Sequence, residues 1–307
     1  MLPESQTEEA LLKEMLALDR ARVKRGHPVE RVSIARWRDA TREDLSDEVA
    51  GEEPMEIRVR VPAAQGWRQH SIAVTMRTPG NDFELAAGFL HAEGAVHSAD
   101  DIERIAYCTD AEEDQQYNIV TVYLAPQVDF DTERLSRHVF TTASCGICGK
   151  AALDWVQTTC PQKPRGEFVL EPEKLFSMRR ALEQSQSLFA RTGGLHASAL
   201  FDLEGQLLSQ REDVGRHNAT DKLVGKLLLE RRLPASNSVV LFSGRAAFEL
   251  VHKSILAGIP FLAAVGAPSS LAVELARRYG VTLVGFLRDG RFNVYSGVER
   301  LRWPTRA

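Results

Sequence analysis

In the C-terminal half of the chain, short apolar runs alternate with stretches of helical character. The three runs are Val239-Val-Leu-Phe242, Phe261-Leu-Ala-Ala-Val265 and Val281-Thr-Leu-Val-Gly-Phe286. Apolar strands that alternate with helices are typical of a parallel βαβαβ unit, in which each helix crosses from one strand to the next. The pattern therefore predicts an α/β fold whose sheet contains these three strands in parallel.

Ligands of such sheets bind at the carboxyl ends of the strands. Here those ends are followed by Ser243-Gly-Arg245, Gly266-Ala-Pro-Ser-Ser270 and Arg288-Asp-Gly-Arg291. Small residues leave backbone N–H groups near helix N-termini available to an anion, and the arginines can pair with phosphates. We expect a phosphate-binding site at this edge.

The chain has 307 residues, more than a typical domain of about 100–200 residues, so two domains are expected. Residues 1–50 are rich in charged side chains and are predicted to form a surface extension with one helical stretch. We assign residues 51–139 to an N-terminal α/β domain, 140–165 to a mobile loop and linker, and 166–307 to the C-terminal domain.

Apolar residues in the N-terminal domain alternate with polar ones at period two over residues 55–61 and 72–76. This alternation predicts a pair of half-buried strands. Asn81 is then expected to cap a helix over residues 83–93, and residues 117–124 to form another strand.

Composition limits the class of protein. Apolar residues make up 44% of the chain and charged residues 26%, which is ordinary for a soluble globular protein. The formal net charge of −4 argues against binding nucleic acid through its phosphates. The sequence has no run of 18 apolar residues and no secretion-signal pattern in residues 1–9, so we expect a cytoplasmic protein without a membrane partner.

The pair Cys145-Gly-Ile-Cys148 is the sharpest chemical feature, because this spacing lets one thiol react while the other resolves or supports it. A structural zinc site is an alternative, but zinc needs four ligands, and the candidates Cys108, Cys160 and His138 form no second close pair. We therefore predict no metal site. A thioredoxin-type dithiol is a second alternative, although the small and polar neighbours of the pair favour an exposed loop that can hand sulfur between partners.

Several histidines are also candidates. His91-Ala-Glu93 has the H-x-E spacing of zinc deaminases, but no P-C-x-x-C follows, so we interpret His91 as a helix-end residue. His196 is either functional or a strand-end histidine bonded to backbone. Arg216 and His217 are equally compatible with a functional role and with an ordinary helix start. For Asp213 and Asn218 the structural alternative to function is a helix cap, and His252 is assigned to packing.

Four motifs occur together in the sequence: Ser144-Cys-Gly-Ile-Cys-Gly149, Thr192-Gly-Gly-Leu-His-Ala-Ser198, Glu212-Asp-Val-Gly-Arg-His-Asn-Ala219 and Ser243-Gly-Arg245. In kind and order they closely resemble those of the formate dehydrogenase accessory sulfurtransferase (FdhD) family, and the likeness runs from about residue 57 to 301.

This resemblance implies a sulfurtransferase that accepts sulfur from a cysteine desulfurase as a persulfide. The sulfur would pass to the molybdenum or tungsten bis-guanine-dinucleotide cofactor of the formate dehydrogenase catalytic subunit. Cys145 would carry the persulfide, with help from Cys148, and a homodimer is implied. GDP should mimic the cofactor. The candidate cofactor-binding residues are His196, Ser243, Gly244, Arg245, Gly266, Phe286, Leu287, Arg288, Asp289, Gly290 and Arg291.

The family also implies a three-layer, cytidine-deaminase-like C-terminal domain with a mixed, largely parallel sheet. Zinc deamination is not expected, because Ser198 stands where a deaminase has its glutamate. Two alternatives remain open: a chaperone that only holds the cofactor, and a zinc hydrolase or deaminase.

Overall fold

The computed structural model describes residues 26–108, 117–131 and 162–303. Cys145, Cys148, the predicted helix in residues 8–22 and most of the predicted linker lie outside the described residues. The elements up to residue 131 are β1 (Val29–Arg38), β2 (Thr41–Ala50), β3 (Glu53–Pro62), β4 (Trp67–Arg77), α1 (Asp82–Ala92), β5 (Ile102–Tyr107) and β6 (Ile119–Leu124).

The elements from residue 162 onward are α2 (Pro172–Ser185), α3 (Ser187–Thr192), β7 (His196–Phe201), β8 (Leu207–Asp213), α4 (Arg216–Leu229), β9 (Val239–Phe242), α5 (Phe248–Leu256), β10 (Phe261–Ala264), α6 (Ser270–Tyr279), β11 (Thr282–Arg288) and β12 (Arg291–Ser296). Short 3₁₀ turns occupy Ala99–Asp101 and Val298–Arg300.

The larger sheet has six strands in the order β12-β11-β10-β9-β7-β8 within the described chain. Strands β9, β10 and β11 are parallel, which confirms the predicted βαβαβ unit. The sheet is mixed, as expected, but less parallel than expected, because the pairs β11–β12, β7–β8 and β7–β9 are antiparallel. Tight turns after β7 and β11 send the chain back along the same sheet, and a tight turn can only join antiparallel strands.

Apolar side chains cover both faces of this sheet. One core contains Leu223 of α4, Leu250 of α5 and Leu275 of α6, whereas the other contains Leu175 and Met178 of α2. The described part of this region therefore has three layers, as expected. Burial on both sides explains why β9 and β10 are uniformly apolar.

The smaller sheet has the order β4-β3-β6-β5. Strands β3 and β4 pair antiparallel, which confirms the predicted strand pair, and Met55, Ile57 and Val59 pack beneath α1. Strand β5 was not predicted. Asn81 does stand at the N-cap position, but its side chain makes no capping bond and its backbone is left-handed, with φ of 58°.

Residues 29–50 form an antiparallel hairpin of β1 and β2 that was not predicted from sequence. Most of the hairpin is exposed, and Trp37 keeps 75% of its surface in solvent. Its base lies on α3, where Arg191 donates two hydrogen bonds of 2.8 Å to Glu48. A two-stranded ribbon is only marginally stable alone, so this contact helps to hold it.

Helices α1 and α4 cross closely and join the two sheets. A Cβ added to Gly88 would collide with the carbonyl oxygen of Asp221, and one added to Gly225 would collide with that of Glu84. Leu228 of α4 belongs to the core of the smaller sheet. The two glycines therefore allow the helix backbones to touch.

Buried ion pairs surround this crossing. Nζ of Lys222 lies 2.6 Å from Asp213 and donates to the carbonyl of Thr78, with the lysine only 1% exposed. Arg211 of β8 donates hydrogen bonds of 2.5 and 2.6 Å to Glu84 of α1. Because a buried charge that loses its partner is strongly destabilising, these pairs restrict how the sheets can be placed.

We predict that Gly88→Ala destabilises the protein, although alanine normally stabilises a helix. The added methyl group would force α1 and α4 apart and reduce the free energy of unfolding by about 1–3 kcal/mol. Denaturant unfolding measures this effect. Gly194→Ala is the control, because its Cβ would lie at an ordinary 3.4 Å from Ala50. Equal stability of the Gly88 variant and the wild-type protein would contradict the close crossing.

Candidate functional site

The carboxyl ends of β9, β10 and β11 lie at one edge of the larger sheet, together with the start of β7. Because β7 is antiparallel to β9, its first residue His196 comes next to the loop that follows β9. Oγ of Ser243 accepts a 2.8 Å hydrogen bond from the backbone N–H of Ala197. The backbone N–H of Ser243 donates in turn to the carbonyl oxygen of Ala197. A Cβ built on Gly244 would lie 3.3 Å from Nδ1 of His196.

Backbone hydrogen bonds connect the three strand-end loops. Gly266 N donates to Gly244 O at 2.8 Å, and Phe286 N donates to Gly266 O at 3.0 Å. A Cβ on Gly266 would lie only 2.9 Å from Gly244 O, so this position requires glycine. The structure thus brings His196, Ser243–Arg245, Gly266 and Phe286 into one continuous edge.

Phe286 has an unusual conformation for a bulky residue. Its φ is 54°, in the left-handed region, and its side chain is 45% exposed. The residue sits in a break of the β11–β12 register between Gly285 and Arg288. Strained backbone and an exposed aromatic ring often coincide with function, and an exposed ring offers a surface on which a base can stack.

The neighbours of Phe286 point in different directions. Leu287 is buried in the core beneath α2, so only its backbone faces the edge. Arg288 donates through Nη1 to the carbonyls of Val265 and Leu287 at 2.6 and 2.8 Å. Arg288 is therefore anchored beside the end of β10.

Asp289, Gly290 and Arg291 form the turn into β12. Asp289 makes 3.2 Å ion pairs with Arg179 and Arg180 of α2, so its carboxylate is already engaged away from the edge. Gly290 has φ of 75°, as a tight turn requires, and Arg291 begins β12.

Arg216 and His217, which the sequence left open, lie at this edge in the first turn of α4. Burial lowers the pKa of His196, and the nearby charges of Arg216, His217 and Arg245 lower it further. His217 Nε2 lies 3.6 Å from Glu249 Oε2, slightly beyond hydrogen-bond distance, and this interaction lowers the pKa of Glu249 to about 2. Glu249 was not predicted; its only signal in the sequence is a position in the first turn of a helix after a strand end.

The other polar residues have structural roles. Asp213 and Asn218 do not cap α4, whose N-cap is Gly215 with no side-chain bond. Asp213 instead accepts bonds from the backbone of Thr78 and Gly215, and Asn218 donates to Met76 O.

The histidines assigned to structure are both buried. His91 bonds through Nδ1 to Val96 O at the end of α1, which confirms its interpretation as a helix-end residue. His252 is fully buried beside Phe248, and burial lowers its pKa to about 3. A neutral imidazole in the core supports the assignment of His252 to packing.

In residues 26–108, 117–131 and 162–303, no three His, Cys, Asp or Glu side chains are arranged as ligands of a metal ion. Every helix there is shorter or more polar than a membrane crossing requires.

The strain at Phe286 leads to a prediction. We expect Phe286→Gly to be more stable than Phe286→Ala by about 0.5–1 kcal/mol, because only glycine adopts a positive φ without a steric cost. The pair Val169→Gly and Val169→Ala is a control at a similarly exposed site with an ordinary φ, where the alanine variant should be the more stable one. Thermal unfolding of the four variants measures both differences. If the alanine variant is more stable than the glycine variant at both positions, the result would argue against backbone strain at Phe286.

Comparison with known proteins shows which family this chain belongs to. Residues 51–302 match the model of the FdhD/NarQ family. Sulfur carrier protein FdhD of Streptomyces avermitilis is 50% identical over 280 residues, which cover 90% of this chain and 96% of that protein. Sulfur carrier protein FdhD of Sulfurisphaera tokodaii is 42% identical over 274 residues, covering 89% and 99%.

A crystal structure from Desulfotalea psychrophila, provisionally assigned as a formate dehydrogenase accessory protein, superposes with a TM-score of 0.70. Its sequence is 28% identical, and the match covers 90% of this chain and all of that one. The family match and the similar relatives extend over nearly the whole chain. This protein therefore belongs to the FdhD/NarQ family.

Proposed function

We propose that this protein is a sulfur carrier that acts in the maturation of formate dehydrogenase. The observation that carries the proposal is the near full-length similarity, at 50% identity, to a protein named sulfur carrier protein FdhD. The family match also spans the positions of Cys145 and Cys148. In this proposal sulfur comes from a cysteine desulfurase and goes to the molybdenum or tungsten bis-guanine-dinucleotide cofactor in the cytoplasm.

The chemistry assigns separate steps to the two cysteines. The Cys145 thiolate attacks the outer sulfur of the desulfurase persulfide, which forms a persulfide on Cys145 and releases the desulfurase cysteine as a thiolate. Cys148 then attacks Sγ of Cys145, which releases the outer sulfur as sulfide and leaves a Cys145–Cys148 disulfide. A thiol reductant returns this disulfide to the dithiol. The C-x-x-C spacing suits this second step, because it keeps the two sulfurs within reach of each other.

The strand-end edge is the proposed cofactor site. Its support is the convergence of three strand-end loops joined by backbone hydrogen bonds, the exposed ring of Phe286 and the anchored guanidinium of Arg288. The formate dehydrogenase catalytic subunit would receive the sulfurated cofactor, and a second copy of this chain is the proposed partner in a homodimer.

We predict that Cys145→Ala abolishes persulfide loading and activation of formate dehydrogenase, because the variant has lost the attacking thiolate. Intact mass after incubation with desulfurase and cysteine measures loading as an added sulfur atom. Cys108→Ala is the control, since Cys108 follows β5, far along the chain from the pair, and should load normally.

A normally activated client with Cys145→Ala would rule out the persulfide mechanism. That result would favour the alternative of a chaperone that holds the cofactor without transferring sulfur. Cys148→Ala separates the steps: we expect this variant to load sulfur on Cys145 but to release it more slowly.

We further predict that Arg288→Ala weakens GDP binding, because it removes a charge-assisted contact. Such a loss of about 1.5–3 kcal/mol corresponds to a roughly tenfold to hundredfold higher Kd. Calorimetric titration measures it, with Arg68→Ala on exposed β4 as the control. Persulfide loading should survive in both variants. Unchanged GDP affinity would show that Arg288 is not part of the cofactor site. GDP bound on the β4-β3-β6-β5 sheet would show that the strand-end edge is not that site.

A further inference from the structure

Helix α1 covers one side of the smaller sheet, and the opposite side carries exposed apolar residues. The β3 side chains beneath α1 alternate with Arg58 and Arg60, which therefore point to this opposite side, the outer face. The strand register places Val74 and Met76 of β4 on the same face, where they keep 68% and 48% of their surface in solvent. Apolar residues that stay in solvent together on one sheet face are typical of a surface that binds another protein.

An arginine–aromatic cluster occupies the other end of the outer face. Arg104 of β5 lies over the ring of Tyr123, with its guanidinium carbon 3.5 Å from the ring centroid. The indole of Trp67 meets the same ring edge-on, with the two centroids 5.2 Å apart. Arg60 donates hydrogen bonds of 2.9 Å to the Tyr123 hydroxyl and 2.8 Å to Oε1 of Gln69. These contacts hold both guanidinium groups in place before a partner binds, which reduces the entropic cost of binding.

The guanidinium groups of this cluster have no carboxylate partners among the described residues. Glu56 pairs with Arg58 at 2.7 Å, whereas Arg60 and Arg104 form no ion pair there. Glu103 precedes Arg104 in a break of the β5–β6 register and forms no ion pair with it. The N–H groups that remain on the two arginines can therefore bind carboxylates of another molecule, which guanidinium groups recognise in bidentate pairs.

The charge of the outer face distinguishes between possible partners. A second copy in a two-fold dimer would bring the same arginine-bearing surface against itself, and like charges across an interface repel. A single-stranded nucleic acid needs open aromatic rings on which its bases can stack. Tyr123 offers no such ring, because it is only 6% exposed beneath Arg104. An acidic protein surface fits both the arginines and the exposed apolar residues.

We propose that the outer face is the docking surface for an acidic surface of the persulfide donor. The inference rests on the proposed function, in which a cysteine desulfurase supplies sulfur to Cys145. The formate dehydrogenase subunit receives the cofactor from the strand-end edge of the larger sheet, so its contacts lie at that edge. The desulfurase only has to bring its persulfide to Cys145, and the outer face gives it a surface that the cofactor site does not use.

The test measures binding of the desulfurase from the same organism to the full-length protein by biolayer interferometry. We expect Arg104→Glu and Trp67→Ala each to raise the Kd about tenfold or more, because arginine and tryptophan anchors contribute much of the energy of an interface. Higher salt should weaken binding to the wild type, since it screens the charges of both surfaces. Circular dichroism verifies the fold of each variant.

Arg68→Glu is the matched control. The register pairs Arg68 with Val61, which packs against the core beneath α1, so Arg68 lies on the side of β4 opposite to the outer face. Its charge reversal should change the Kd by less than about threefold, because solvent and salt screen a charge on the other side of the sheet.

The kinetics of persulfide loading distinguish docking from chemistry. In Arg104→Glu, more desulfurase should be needed to reach half of the maximal loading rate. The rate at saturating desulfurase should equal that of the wild type, because the attacking thiolate is unchanged. GDP affinity should be unaffected, since the proposed cofactor site lies on the other sheet.

The outcomes separate this inference from the proposed function. Wild-type Kd values in both variants, with normal loading, would overturn the docking surface and leave the sulfur-carrier proposal intact. An equal loss of binding in Arg68→Glu, or binding that salt does not weaken, would also overturn it. A dimer that Arg104→Glu dissociates, measured by light scattering, would show that a second copy covers the outer face instead. If the wild type neither binds desulfurase nor accepts sulfur from it, the proposed function and this inference are both refuted.

Discussion

Helices α1 and α4 touch at Gly88 and Gly225, and the two sheets are placed relative to each other by that contact. Helix packing usually keeps axes 8–10 Å apart because side chains separate the backbones. Here the absence of Cβ atoms removes that spacer, and the ion pairs Lys222–Asp213 and Arg211–Glu84 close around the crossing. A shift of one sheet would separate buried charges from their partners, so the contact has few alternative geometries.

The same crossing orients the start of α4. Asp213 ends β8 and accepts the backbone N–H groups of Thr78 and Gly215, so the last turn before α4 is tied to the smaller sheet. The first turn of α4 is thereby held at the carboxyl edge of the larger sheet, next to His196. The interface between the sheets and the candidate site therefore depend on some of the same residues.

The sheet topology explains the rest of the site. Strands β8, β9, β10 and β11 run in the same direction, so all four end at this edge. Because β7 runs in the opposite direction, it adds His196 at its start, and the β8–α4 connection adds Arg216 and His217. Backbone hydrogen bonds from Gly244 through Gly266 to Phe286 then connect the loops without side chains, which leaves the edge open to a ligand.

Local patterns in the sequence were sufficient for several features. Uniformly apolar runs indicated the parallel strands β9 to β11, period-two alternation indicated β3 and β4, and the ordered motifs indicated the family. The hairpin β1–β2 was not predicted, because its strands are charged and exposed and contain only a few half-buried apolar residues such as Ile34 and Leu45. A hydrophobic pattern appears only where a strand has a core to face.

Only the tertiary structure decided which polar residues act together. His196, Arg216, Arg245 and Glu249 are spread over more than fifty positions, and nothing local distinguishes Arg216 from any arginine at a helix start. The antiparallel placement of β7 and the glycine crossing of α1 and α4 bring them to one edge. The sequence determined the apolar strands β3, β4 and β9 to β11, the cysteine pair and the family, because these depend on residue types and short spacings. The grouping of charges depends on strand direction and helix packing, which are set by contacts between distant segments.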